Sequence, residues 1–261
     1  MSLLEINNIS ISFVGLKAID SLSFSVDEGS TVGLIGPNGA GKTTVFNCIA
    51  RYFKPDQGQI LFRGEDLLAF KPHEVIEKGI ARTFQNMELF RSMTVQDNLL
   101  VGQHSRVNTG FFINAFSLRK KKINESQIKD KAAAVMDRFG LTPYANSRVI
   151  SLPYGIQKKV EFARALVSEP KLILLDEPAA GMNPNETEEI TELIKQLRSV
   201  DGITVLLVEH DMKLVRSICD EINVIDFGRK IAHGTPEEIS RNPQVIEAYL
   251  GRQEENEYAR A

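Results

Sequence analysis

The stretch "TVGLIGPNGAGKTT" constrains this chain more than any other part of its sequence. Residues 36–43 match the pattern G-x-x-x-x-G-K-[ST] at every fixed position, between an apolar strand-like run and a helical segment. In such a loop, glycines let backbone N–H groups approach phosphate oxygens, Lys42 neutralises the β- and γ-phosphates, and Thr43 holds Mg²⁺. A purely structural glycine-rich turn is the alternative, but the flanking strand and helix favour a nucleotide-phosphate site.

The order of hydrophobic patterns predicts an α/β core interrupted by a helical lobe. Apolar and polar residues alternate over residues 1–30, which predicts antiparallel strands. Short apolar runs predict further strands at "TVGLIG", "QILFRG", "IARTFQ", "LILLD", "TVLLVEH", "EINVID" and "KIAHG". Helical segments dominate residues 92–166. The predicted single domain covers residues 1–250, with its core at 1–90 and 167–235, a helical subdomain at 91–166, and C-terminal helices with a polar tail at 236–261.

Polar residues follow several of the predicted core strands. Asp176 and Glu177 end the run "LILLDEP", where the carboxyl edge of a parallel sheet would face the phosphates. Asp176 can hold Mg²⁺ directly or through water, and Glu177 can polarise an attacking water. His210 ends "TVLLVEH" at the same edge, so we expect a contact with the γ-phosphate, although a lone histidine is more often structural. Gln85 ends "IARTFQ" and can reach Mg²⁺ or water.

Composition disfavours several other classes of protein. The formal net charge is -3 and the sequence pI is about 5.9, which argues against a nucleic-acid partner. Cys48 and Cys219 lack metal-site spacing and predict buried thiols in a reducing compartment. The start "MSLLEINN" lacks the features of a secretory signal, and apolar runs fall short of the roughly 20 residues that cross a bilayer. The tripeptide "DFG" at residues 226–228 also occurs in protein kinases, but the other kinase motifs are missing from this sequence. We therefore expect a turn between strands there.

A second stretch, "LPYGIQKK" at residues 152–159, looks like half of another phosphate site. A glycine stands at the start of a helical and basic run, where the backbone N–H groups and the helix dipole favour an anion. The chain already has a complete phosphate loop, so this partial site needs a separate explanation.

In chain order, "GPNGAGKTT", "TFQ", "LPYGIQKKVEFARAL", "LILLDEP", "AAGMNP" and "VEHD" resemble the motifs of the ATP-binding cassette (ABC) ATPases. The resemblance spans about residues 3–250 and implies, in the same order, a Walker A loop, Q-loop, signature, Walker B strand, D-loop and H-switch. It implies a P-loop NTPase core with an antiparallel β-subdomain and an inserted α-helical subdomain, and ATP and Mg²⁺ as cofactors. Because two such cassettes pair head to tail, the signature of one would cover the ATP of the other.

The resemblance also implies roles for individual residues. It assigns ATP contacts to Phe13, as the aromatic that stacks on adenine, and to Gly36, Pro37, Asn38, Gly39, Ala40, Gly41, Lys42, Thr43 and Thr44. An ordinary strand aromatic is the alternative for Phe13. Catalytic roles fall to Glu177, His210 and Gln85, and Mg²⁺ ligation to Thr43, Gln85 and Asp176. The signature residues that would act on the partner's ATP are Leu152, Pro153, Tyr154, Gly155, Ile156 and Gln157, with Asn183 in the D-loop.

The signature and the D-loop depart from the usual sequences of that family. In the general signature LSGGQ, Pro153 occupies the serine position, Tyr154 the first glycine position and Ile156 the glutamine position. Pro153 lacks a hydroxyl and an N–H group, although proline suits the first turn of a helix, and Gly155 keeps the close backbone approach. Asn183 replaces an aspartate. We therefore expect a composite site that forms but is weakened.

Within the family, "DEPAAGMNPNET", "EHDM" and "GTPEEI…NPQVIEAYLG" resemble the ATPases of branched-chain amino-acid importers. This implies a second ATPase subunit, identical or related, and two integral membrane permease subunits that would meet residues 85–110. An extracytoplasmic substrate-binding protein would act indirectly, and the chain would lie on the cytoplasmic face of the cell membrane. Urea or amide importers and lipopolysaccharide-export ATPases remain alternatives. A soluble cassette ATPase of DNA repair or translation is disfavoured, since the chain has one cassette and no long coiled-coil insert.

Overall fold

The structure is a computed structural model that describes residues 1–83, 89–103 and 118–258, with the backbone alone for residues 118–125 and 251–258. Its strands are β1 (Ser2–Phe13), β2 (Leu16–Asp27), β3 (Thr31–Ile35), β4 (Gln57–Phe62), β5 (Glu65–Asp66), β6 (Ile80–Arg82), β7 (Leu172–Asp176), β8 (Thr204–Val208), β9 (Glu221–Asp226) and β10 (Arg229–Gly234). Its helices are α1 (Lys42–Ile49), α2 (Pro72–Lys78), α3 (Val95–Gly102), α4 (Leu118–Arg138), α5 (Tyr154–Leu166), α6 (Pro184–Ser199), α7 (Met212–Ile218), α8 (Pro236–Ser240) and α9 (Pro243–Tyr258).

A mostly parallel sheet with the strand order β10-β9-β3-β8-β7-β6 carries the phosphate loop. Strands β3, β7 and β8 are buried along their whole length, as expected for parallel strands that are covered on both faces. Among the described strands of this sheet, β10 alone runs antiparallel to its neighbour. Because β3, β8 and β7 are adjacent and parallel, the segments that follow them leave the sheet at one edge.

A second sheet, with the order β2-β1-β4-β5, is antiparallel throughout. Alternate residues of its long strands, such as Leu4 and Ile6, are buried in a cluster that also contains side chains of β3 and α1. The expected antiparallel pairing of residues 1–30 is thus confirmed. The two sheets meet at the turn between β9 and β10, where Gly228 accepts from the Asp20 N–H (3.0 Å) and donates to the Ala40 carbonyl (2.9 Å).

Helices α3, α4 and α5 pack together and share one apolar cluster with the face of the parallel sheet opposite α1. Val95, Leu99 and Val160 of these helices are fully buried in the same cluster as Ile173 and Val205 of the sheet. In the part of the chain that the structure describes, no helix combines the length and apolar character needed to span a bilayer.

Most element positions that were predicted from the sequence are confirmed, with three differences. The strand of "IARTFQ" ends at Arg82, and Gln85 lies outside the described residues. The strand of "TVLLVEH" ends at Val208, because the N–H groups of His210 and the next residue bond to a glutamate side chain instead of the sheet. Helix α9 continues through the polar tail to Tyr258, since Arg, Gln and Glu are good helix formers.

Candidate functional site

The loop between β3 and α1 has the backbone shape that its glycines permit. Gly39 and Gly41 adopt φ values of +79° and +105°, in the left-handed region that other residues rarely enter. A Cβ on Gly36 would lie 2.0 Å from the Ile225 carbonyl oxygen, so the strand beside the loop excludes any side chain at this position. The loop therefore presents bare backbone where α1 begins, which is the arrangement that binds phosphate at a helix N-terminus.

Lys42 lies within this loop. Its side chain is buried, and Nζ donates to the carbonyl oxygens of Gly36 (2.7 Å) and Pro37 (3.0 Å). The ammonium is therefore held over the loop by the loop's own backbone. Thr43 is exposed and Thr44 half-buried at the start of α1. The remaining positions of the motif, Asn38 exposed and Ala40 buried, complete the turn, with the Ala40 N–H bonded to the Pro37 carbonyl (3.1 Å).

A buried carboxylate lies at the end of β7. Asp176 is 1% exposed, and its Oδ2 accepts a hydrogen bond of 3.0 Å from Nη2 of Arg82 on the neighbouring strand β6. Burial raises the pKa of Asp176, while the hydrogen bond and the charge of Arg82 act in the opposite direction. Arg82 also donates to Asn47 on α1 (2.6 Å), so the guanidinium joins the helix after the phosphate loop to the acidic end of β7.

Glu177 follows in a strained backbone conformation. Its φ is +48°, which is uncommon for a residue with a side chain, and its N–H donates to the Val208 carbonyl (2.9 Å). His210 is mostly exposed and places Nδ1 4.0 Å from Glu177 Oε2 and 3.7 Å from Glu209 Oε2. The structure thus brings together the acid and the histidine that were expected to act on the terminal phosphate. Residues with a strained backbone, such as Glu177, are found more often at functional sites than elsewhere.

Glu209 is a residue that the sequence interpretation passed over. It is 2% exposed, its Oε1 accepts from the Ala179 N–H (3.1 Å), and its Oε2 accepts from the His210 N–H (2.8 Å). One carboxylate therefore fixes both the segment after β7 and the segment after β8. Its position beside a histidine at a strand end, in "VEHD", was the available signal.

The signature segment lies at the start of α5, with Pro153 in the N-cap position one residue before the helix. Leu152 is buried and its carbonyl accepts from Gln157 Nε2 (2.7 Å), while Ile156 packs half-buried against the apolar cluster. Tyr154 and Gly155 face the segment after β7, where the Tyr154 hydroxyl donates to the Ala180 carbonyl (2.9 Å). The signature therefore contacts the D-loop region of its own chain.

Asn183 caps α6. Its Oδ1 accepts from the N–H groups of Asn185 (3.0 Å) and Glu186 (3.1 Å), and its own N–H donates to Glu186 Oε2 (3.0 Å). This is a capping box, so the asparagine at the D-loop position has a structural task in addition to any contact with a partner.

Two aromatic residues lie in or near the candidate nucleotide site, one predicted from the sequence and one not. Phe13, at the end of β1, is 39% exposed and its ring packs edge-on against Phe53 with 5.0 Å between centroids. Tyr249 of α9 was not predicted, and its hydroxyl is buried near Gly36 without a hydrogen bond to any residue that the structure describes. Burial raises the pKa of Tyr249, and the Gly36 backbone acts in the opposite direction. Nothing in the local pattern of "EAYLG" indicates that contact.

Comparison with known families agrees with this site. Residues 19–180 match the family model described as "ABC transporter", and residues 229–255 match the model "Branched-chain amino acid ATP-binding cassette transporter". The chain belongs to the ABC transporter family. As an ABC ATPase it binds and hydrolyses ATP, and it is a transport subunit.

Individual relatives of the cassette share nearly its whole length. The high-affinity branched-chain amino acid transport ATP-binding protein LivG of Salmonella typhimurium is 47% identical over 95% of this chain and 98% of its own. The lipopolysaccharide export system ATP-binding protein LptB of Haemophilus influenzae is 34% identical over 97% and 99%. A crystal structure of a nucleotide-free ATP-binding cassette from an ABC transporter superposes with a TM-score of 0.82, at 33% identity, over 95% of this chain and 99% of that one.

Proposed function

We propose that this cassette is the ATP-hydrolysing subunit of an importer of branched-chain amino acids. The observation that carries the proposal is the match of residues 229–255 to the branched-chain amino acid cassette model. Sequence identity also favours branched-chain amino acids as the cargo, since this chain is 47% identical to the amino-acid transport relative and 34% identical to the lipopolysaccharide-export relative. Urea or amide import and lipopolysaccharide export are the competing cargoes, and a non-transport cassette is the more distant alternative.

ATP would bind with its phosphates in the loop of residues 36–44 and its adenine against Phe13. Lys42 would exchange its bonds to the loop carbonyls for bonds to the β- and γ-phosphates, so its ammonium group would keep hydrogen-bond partners throughout. Phe13 lies at the end of β1 and is 39% exposed beside Phe53, which supports a ring accessible for stacking.

The oxygen donors of the site fit a hard divalent cation. The Asp176 carboxylate and the Thr43 hydroxyl would hold Mg²⁺, together with Gln85, which lies outside the described residues. Among the residues that the structure describes, no three His, Cys, Asp or Glu side chains form a metal-binding group, so the remaining ligands would be phosphate oxygens and waters. When bound, the ion supplies neutralisation of phosphate charge.

Hydrolysis would depend on Glu177 and His210. The carboxylate of Glu177 would accept a proton from the attacking water, and His210, 4.0 Å away, would contact the γ-phosphate. Glu209 and the Val208 carbonyl bond to the backbone N–H groups of His210 and Glu177, which supports a site whose backbone is held in place before the nucleotide binds.

The proposed assembly pairs this cassette head to tail with an identical or related one. Residues 152–157 and Asn183 would contact the nucleotide of the partner, which accounts for the partial phosphate site. Two permease subunits would meet residues 85–110 at the inner face of the membrane, and a substrate-binding protein would act from outside. ATP would close the pair and hydrolysis would reopen it. We expect no nucleic-acid partner.

Two experiments test the proposal. Glu177→Gln should abolish ATP turnover and keep ATP binding, so its mass in solution should shift from monomer to dimer with Mg·ATP if the partner is identical. Undiminished turnover would remove the assigned role of Glu177. For the cargo, cells that lack this chain should lose uptake of labelled leucine, with recovery from the wild type and none from Lys42→Ala. Leucine uptake that does not depend on the chain would contradict the assigned cargo.

A further inference from the structure

Three contacts join the start of α5 to the loop that follows β7 and to helix α6. The Tyr154 hydroxyl donates to the Ala180 carbonyl across 2.9 Å. Gly155 lies so close to α6 that a Cβ there would be 2.4 Å from Glu186 Oε1. One turn further along α5, Lys159 forms an ion pair of 2.6 Å with Glu189. The two helices therefore meet along their first turns, and Tyr154 forms the contact at the outer end.

Ala180 belongs to the same turn as the catalytic carboxylate. Its N–H donates to the Glu177 carbonyl (3.1 Å), while its own carbonyl receives the Tyr154 hydroxyl. The neighbouring Ala179 N–H is held by Glu209 Oε1 (3.1 Å). A single residue thus lies between the phenol of Tyr154 and the strained backbone of Glu177, whose φ of +48° requires support from its surroundings.

The side chain at position 154 decides whether this connection exists. A glycine, which the general LSGGQ signature has at this position, offers no group that could reach Ala180. The phenol ring also lies against Gly181, where an added Cβ would be 3.5 Å from the Tyr154 hydroxyl oxygen. That distance is an ordinary van der Waals contact, so the ring packs directly on the turn, and the φ of +75° at Gly181 is what favours glycine there.

We propose that Tyr154 is a positioning residue that joins the signature helix to the turn of Glu177, so that the two move as one unit. This inference rests on the proposed function, in which the signature meets the nucleotide of a partner cassette. The contact made by α5 with that nucleotide would then align the catalytic carboxylate of the chain's own site. Each bound ATP would influence hydrolysis of the other through one hydrogen bond.

The test compares Tyr154→Phe with Tyr144→Phe, both in the full-length chain. Each change removes one hydroxyl and keeps the ring. Tyr144 lies half-buried in the same lobe and makes no side-chain hydrogen bond to any residue that the structure describes. Amide hydrogen exchange of residues 177–183, measured without nucleotide, should be about three- to ten-fold faster in Tyr154→Phe and unchanged in Tyr144→Phe, as loss of one hydrogen bond predicts. Equal exchange in all three proteins would overturn the proposal.

Steady-state ATPase kinetics supply the second measurement. Tyr154→Phe keeps the ring and removes only the hydroxyl that is bonded to Ala180. It should therefore lower kcat by about three- to ten-fold and leave KM for ATP unchanged. Faster exchange with an unaltered kcat would refute the positioning role. If the wild-type chain does not hydrolyse ATP, that result counts against the proposed function and not against the role of Tyr154. The exchange experiment needs neither ATP nor a partner, so it tests the bond between Tyr154 and Ala180 separately.

Discussion

Arg82 on β6 donates a 3.0 Å hydrogen bond to Asp176 at the end of β7, and both side chains are almost completely buried, at 8% and 1% exposure. Its second hydrogen bond reaches Asn47 on α1. The cation therefore balances the carboxylate that is proposed to hold Mg²⁺, and it ties that carboxylate to the helix that begins at the phosphate loop.

Arg82→Gln should destabilise the fold, because it leaves the Asp176 carboxylate buried without its cation. We expect a loss of about 3 kcal/mol in the free energy of unfolding, measured by urea denaturation at pH 7. Lys195→Gln is the matched control, since its ion pair with Glu192 is exposed and should contribute less than about 0.5 kcal/mol. Similar losses in the two variants would show that the buried Arg82–Asp176 pair contributes no more to the free energy of unfolding than an exposed pair.

Gly36→Ala should disrupt the phosphate loop, because its Cβ would overlap the Ile225 carbonyl oxygen at 2.0 Å. We expect a loss of stability of about 3 kcal/mol or more, and failure to bind a fluorescent ATP analogue. Gly202→Ala is the control, with a positive φ of +62° and open space around the added methyl group, and should cost about 1 kcal/mol. A Gly36→Ala protein that binds the analogue normally would contradict the observed packing of the loop.

Both cysteines should resist thiol reagents in the folded protein. Burial raises the pKa of Cys48 and of Cys219 to about 12, so neither forms the reactive thiolate near neutral pH. Reaction with Ellman's reagent at pH 8 should release no chromophore from the native chain and two equivalents after denaturation in guanidinium. Rapid release of one equivalent by the native protein would place a thiol at the surface.

Asp20 should make stability depend on pH in acid. Hydrogen bonds from Lys17 and Arg229 lower its pKa from 3.8 to about 2 in the folded chain. Its contribution is therefore complete above about pH 3.8 and is lost as the pH falls towards 2. The urea midpoint of Asp20→Asn should lie below that of the wild type at pH 6, with a gap that narrows between pH 4 and pH 3. A constant gap over that range would mean that Asp20 is not the titrating group.

Local pattern was sufficient to predict the parts of the fold and site that lie within one segment. The alternation of residues 1–30, the buried strand of Asp176 and the loop before Lys42 each depend on neighbours in the sequence. The roles of His210, Phe13 and the signature residues stay predictions. Strand ends were less accurate, as at Val208, because a side chain captured the backbone N–H groups that the pattern assigned to the sheet.

Contacts between distant parts of the chain could not be read from the sequence. The bond from Arg82 joins residues 94 positions apart, that of Tyr154 spans 26, and that of Glu209 spans 30. Each depends on which strands are neighbours or on how α5 docks against α6. Tyr154 was predicted to act on the partner's ATP and was noted as a departure at a glycine position. Its bond to Ala180 was not predicted, since no local rule connects a tyrosine at a helix start to a carbonyl in another loop.

Gly228 places a limit on how this protein can be re-engineered. Its carbonyl and N–H join β2 to the phosphate loop, and an added Cβ would lie 2.4 Å from the Ala18 carbonyl oxygen. A chimera that borrows its antiparallel sheet from another cassette would have to reproduce this backbone crossing to within a few tenths of an ångström. The β-subdomain and the nucleotide loop are therefore best exchanged together, as one module, with the β9–β10 turn included.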